Sequence, residues 1–151
     1  MGLSDTAADL RDAVVAALAA AGRPAFPRVY VSDGGNVAYD CEQLVVAVED
    51  IRPGLPGEAG TVQLDTRVTW TAIIAVHALR CAPTIADDGT PPTPAEIDAS
   101  AAVILADADA LLRGAYDFAQ ACRRAATATL TFPGPTGGYA VAVMRLEVHV
   151  V

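Results

Sequence analysis

The sequence predicts an α+β fold, a mostly antiparallel sheet with two helices packed on one face. Three observations carry that expectation. Thr61–Arg80 alternates as a half-buried strand does, two segments carry apolar residues at helical spacing, and the remaining strand-like runs are separated by Gly- and Pro-rich turns. The predicted order is helix, two strands, one long strand or strand pair, helix, two strands.

The first helix is predicted over Ser4–Ala21. Ser4 or Thr6 can cap it, Asp5 and Asp9 lie near the positive end of its dipole, and Leu10, Val14, Leu18 and Ala21 form one stripe. Gly22 and Pro24 stop it. A short strand follows over Phe26–Val31, then a turn at Ser32–Asn36. A Gly-rich turn can cradle a phosphate only with a helix N-terminus behind it and usually a Lys; this one has neither, so it reads as a plain turn. Tyr39–Ile51 is a second strand, and Pro53–Gly60 is a loop rich in turn residues.

Thr61–Arg80 organises the rest of the chain. Val62, Leu64, Val68 and Trp70 lie on one parity, and Gln63, Asp65, Arg67 and Thr69 on the other. After Thr71 both parities are apolar, as in a strand covered on both sides. At 3.3 Å per residue the run would span roughly 65 Å, more than one small domain needs. Either a break near Asp65–Thr66 makes it a hairpin, or its first half projects as an arm.

Thr93-Pro94-Ala95-Glu96 is a helix start, with Thr as cap, Pro at the first position and Glu completing a capping box. Ile97, Ala101, Ile104, Leu105, Ala108, Leu111, Leu112 and Ala115 form a stripe expected to lie on the sheet, with Asp98, Asp107 and Asp109 off it. Gly114 is a possible kink or end, and Ala119–Ala128 fits either a helix tail or a strand entry. Thr127–Phe132 and Tyr139–Val151 flank a Gly-rich turn and read as a hairpin.

At 151 residues the chain is long enough for one domain with a sizeable core. Its net charge of −8 and ten basic residues, all Arg, argue against a surface that grips nucleic acid. The start has neither the basic nor the apolar region of a signal peptide, and no apolar run is long enough to span a membrane. Cys41, Cys81 and Cys122 are odd in number and widely spaced, which predicts free, reduced, mostly buried thiols and fits zinc poorly.

Chemistry-bearing motifs are sparse. His77 lies in an apolar strand half and reads as structural. Asp87–Asp88 lacks the spaced ligands of a calcium loop. No Gly-x-Ser-x-Gly turn is present. The expectation is therefore no catalytic residue, no metal and no cofactor. A small hydrolase using Cys41 or Cys81 with His77 stays open as the alternative class.

Arg28–Val31 with its Gly turn, Tyr39–Val46, Leu79–Pro83, Ala101–Ala108 and the Gly134–Gly138 loop together resemble the tail terminator, or tail-completion, proteins of long-tailed actinobacterial phages. The resemblance extends over nearly the whole chain; Ala119–Ala128 is the stretch it does not place. It implies an α+β subunit of a hexameric ring between the last ring of the major tail tube protein and the head-side connector. It further implies assembly in the host cytoplasm, a place in the virion tail or neck, and DNA passing through the lumen without specific binding. No catalytic residue is carried over. A head-tail adaptor of the neck is the alternative within the same class. Asp65, Arg67 and Thr69, with Leu55 and Glu58 of the preceding loop, are the candidate subunit contacts.

Overall fold

Strand alternation sorts the sheet into two faces before any helix is placed. The computed structural model describes residues 2–34, 40–54, 69–133 and 138–150. Its elements are α1 (Leu3–Ala20), β1 (Arg28–Ser32), β2 (Gln43–Pro53), β3 (Trp70–Cys81), α2 (Pro94–Cys122), β4 (Ala126–Thr131) and β5 (Tyr139–Val150). The strands form one sheet in the order β1-β2-β3-β5-β4. Among the described residues β1 and β2 pair in parallel and the other three pairings are antiparallel. This is the expected α+β architecture.

Leu44 and Val46 of β2, Ala72, Ile74, Val76 and Ala78 of β3, and Ala142, Met144, Leu146 and Val148 of β5 share one face. They form a single core with Leu10, Val14 and Leu18 of α1 and Ile104, Leu111 and Phe118 of α2. Both helices therefore lie on that face. The opposite parity carries a smaller apolar cluster of Ala75, Leu79, Val141 and Val143.

Local chemistry explains the helix ends. Thr93 and Glu96 exchange both bonds of the capping box: the Thr93 N–H donates to Glu96 Oε2 at 2.8 Å, and the Glu96 N–H donates to Thr93 Oγ1 at 3.3 Å. In α1 the cap position falls on Gly2 instead of Ser4 or Thr6, and the Gly2 N–H donates to Asp5 Oδ2. Gly22 turns left-handed at φ 69°, and the Arg23 N–H closes the helix on the Leu18 carbonyl at 2.9 Å.

Four expectations need correction. First, Gly114 does not end α2. A side chain there would lie 2.7 Å from Val14 Cα, so glycine is what lets the two helices cross closely. The helix continues to Cys122, Arg123 turns left-handed at φ 51°, and β4 starts at Ala126, which places the Ala119–Ala128 stretch.

Second, the α2 stripe is not all on the sheet. Ile104, Ala108, Leu111 and Ala115 are buried, but Ile97 and Leu105 are more than half exposed and Leu112 is exposed as well. The helix has two neighbours, the sheet and α1. Its buried sector therefore turns toward α1 and takes in Asp107, Ala110 and Gly114. Third, Asp107, expected off the stripe, is fully buried.

Fourth, Cys41 and Cys81 are joined by a disulfide, with Cα atoms 4.9 Å apart; only Cys122 is free, and it is partly exposed. Spacing along the chain concealed this pairing. The antiparallel register sets Gln43 opposite Leu79, and two residues further out it sets Cys41 opposite Cys81.

Candidate functional site

Of the residues predicted to make subunit contacts, Leu55, Glu58, Asp65 and Arg67 lie outside the described residues, as does the first half of the Thr61–Arg80 run apart from its end. Thr69 is described. It stands where the chain leaves and rejoins the sheet: β2 and β3 pair as far as Pro53 opposite Trp70. There the Gly54 N–H donates to the Thr69 carbonyl at 2.8 Å, and Thr71 Oγ1 donates to the Gly54 carbonyl at 2.8 Å. Gly54 is thus tied to both Thr69 and Thr71.

The other end of β3 holds a buried ionic cluster. Arg80 Nε donates to Asp107 Oδ2 at 2.8 Å and its Nη1 to Glu42 Oε2 at 2.6 Å. Its Nη2 donates to the Pro24 carbonyl at 2.8 Å, and its guanidinium lies 3.6 Å from the centre of the Phe26 ring. Asp107 also accepts from Arg23 Nε at 2.8 Å. Two cations and two anions thus join β3, α2, the start of β2 and the α1–β1 connection. Burial works against the Arg80 charge, but hydrogen bonds to Asp107 and Glu42 and the charges of both hold its pKa above the ordinary arginine value. Every strong partner is used inside the cluster, so its role is to fasten the helix layer to the sheet. A Glu and an Arg each beside a cysteine were the sequence signals for it, whereas Asp107 is one of four Asp residues in α2 and did not stand out. The partners are 27 and 38 residues from Arg80, too far for spacing to link them.

His77 lies on the helix-free parity of β3. Burial, with a smaller contribution from Arg145, lowers its pKa, and Glu49 opposes this in part. Arg145 grips Glu49 through two bonds of 2.9 and 3.2 Å. Glu49 and Arg145, together with Arg52, Ile73, Thr127, Thr129 and Glu147, line a hollow of about 520 Å³ on that face. For the hydrolase alternative the geometry is unfavourable. His77 and Cys81 are four residues apart on one strand, about 13 Å, and both candidate thiols are consumed in the disulfide. Among the described residues no three His, Cys, Asp or Glu side chains converge to hold a metal ion, and no helix is long and apolar enough to cross a membrane.

Another unusual surface is the pair of outer strands. β1 and β4 close the sheet at opposite ends, and among the described residues neither has a strand on its outer side. Both carry exposed apolar residues on the helix side of the sheet: Val29 and Val31 at β1, and Phe132 just after β4. An uncovered edge of this kind is a template for pairing with another chain; β1 carries one charge, Arg28, and β4 carries none. The sequence reading missed both edges, because edge position depends on the order of strands in the sheet.

No family model matches this chain, and no curated protein matches it.

Proposed function

We propose that this chain is a structural assembly subunit that closes into a ring, caps a phage tail tube and joins it to the head-side connector. The observation that carries the reading is the sheet's two uncovered outer strands, β1 and β4, which differ in sequence and lie at opposite ends. A subunit with two different sticky ends forms heterologous contacts, and such contacts close into rings when the rotation between neighbours allows. The resemblance to tail terminators supplies the identity of the ring and the hexameric number. The strong acidity of the chain suits a lumen that lets DNA slide past without adhering. Residues 55–68, tied at Gly54 and Thr69, are long enough to reach a neighbouring subunit or the tube; Arg67, with Asp65, Leu55 and Glu58, is assigned to that contact. The virion tail is the corresponding location.

Light scattering across a concentration series tests the reading. The expected result is one discrete species at a whole multiple of 15.5 kDa. Added to polymerising major tail tube protein, the chain should also stop growth at one end and shorten the tubes seen by electron microscopy. A monomer at every concentration, with tube length unchanged, overturns it.

A further inference from the structure

The two open edges are not equivalent, and their differences fit one another. At the start of β1, Val15, Leu18, Pro24, Phe26 and Val29 line an apolar hollow of about 110 Å³ on the helix side of the sheet. At the end of β4, Phe132 lies on the same side, 48% exposed, on the wall of a larger apolar hollow of about 350 Å³ shared with Ile97 and Ile104 of α2. Its exposed part is the knob at one edge, and the hollow beside Val29 is the hole at the other.

Strand direction decides whether they can meet. β1 and β2 run the same way, and each step from β2 through β3 and β5 to β4 reverses direction, so β1 and β4 are antiparallel. If the sheet continues from one copy to the next with the same face up, β4 of one copy lies antiparallel to β1 of the next. The end of β4 then faces the start of β1, which is where knob and hole are.

Charge favours a second copy at this position. Two chains of net charge −8 repel unless they meet where carboxylates are scarce. β4 (ATATLT) has no charged residue, and the one charge in β1, Arg28, is already paired with Asp40 at 3.0 Å.

We propose that the occupant of each edge is a second copy of this chain: β4 of one subunit pairs antiparallel with β1 of the next, and Phe132 seats in the hollow beside Val29. This rests on the ring reading and specifies its contact. The contact is heterologous, so each subunit uses both edges once.

The test uses two single variants of the full chain, Phe132→Asp and Val29→Asp, each at an exposed position, with circular dichroism to confirm the fold. By light scattering each variant alone should fall from the ring mass to 15.5 kDa, because one half of every contact is spoiled. Mixed together they should form a 1:1 dimer and stop there, since only one intact β4–β1 pair can form between them. If either variant loses its fold, Phe132→Ser or Val29→Ser replaces it and is read in the same way. If both variants keep the full ring mass, the edge contact is wrong while the ring reading stands. Dimers from a single variant alone would mean like-with-like pairing and also overturn the proposal. A parent chain that is monomeric at every concentration removes the ring reading and this contact with it.

Discussion

Val46 and Val31 sit side by side in the β1–β2 register, on the same face of the sheet. Val46 is fully buried, whereas Val31 is 39% exposed. The same contrast recurs on α2, where Leu111 is fully buried and the next residue, Leu112, is 40% exposed. Residue type does not separate the members of either pair. What differs is the neighbour: Val46 and Leu111 pack within the core, while Val31 lies on the outermost strand of the sheet and Leu112 outside the buried sector of α2. The interior of this protein is thus held by contacts the chain makes with itself. Its periphery offers equally apolar residues that the chain leaves uncovered, and a small acidic protein gains from that only if a partner covers them.

Breaking the interior should give the largest effect. Asp107→Ala removes the carboxylate that binds both Arg80 and Arg23 and leaves buried cations without it. The expected loss is about 3–5 kcal/mol of unfolding free energy by urea titration. A variant as stable as the parent would mean that the cluster is solvated and not a fastening point.

The two neighbouring leucines sharpen the comparison directly. Leu111→Ala should cost about 2–5 kcal/mol, as core truncations do, while Leu112→Ala should stay within about 0.5 kcal/mol of the parent. Equal losses from the two would contradict the buried sector assigned to α2. A cap tests a local interaction between these extremes. Thr93→Ala removes the hydroxyl that accepts from Glu96 and should lower stability by about 1 kcal/mol.

The smallest expected effect is a slope with pH. The folded-state pKa of His77 lies below its ordinary value of about 6.5, so the unfolded chain binds the proton more readily. The stability His77 contributes is fully present above that ordinary value and is lost as pH falls from it toward the lower folded value. Unfolding titrations between pH 7.5 and 5.5 should therefore show a decline that is flatter in His77→Gln. Parallel curves for the two proteins would rule out His77 as the source.

Much of the fold was legible because it is written locally. The capping box at Thr93–Glu96, the Gly22 stop, the apolar run on both parities after Thr71 and the final hairpin strands each depend on residues a few positions apart, and these elements are present. The candidate site was far less legible. The outer strands became edges only when β1 was placed beside β2 and β4 beside β5, and neither placement has a local signal.

The sequence by itself determined the α+β class and the order of its elements, since periodicity and turn chemistry act over one or two turns of chain. Only the tertiary structure decided that Cys41 faces Cys81, that Asp107 is buried between two arginines, and that Leu105 and Leu112 point away from the core. Each of these depends on strand register or on which face of a helix meets a second neighbour. Contacts of that kind join residues 27 to 84 positions apart, and no window along the chain contains both partners.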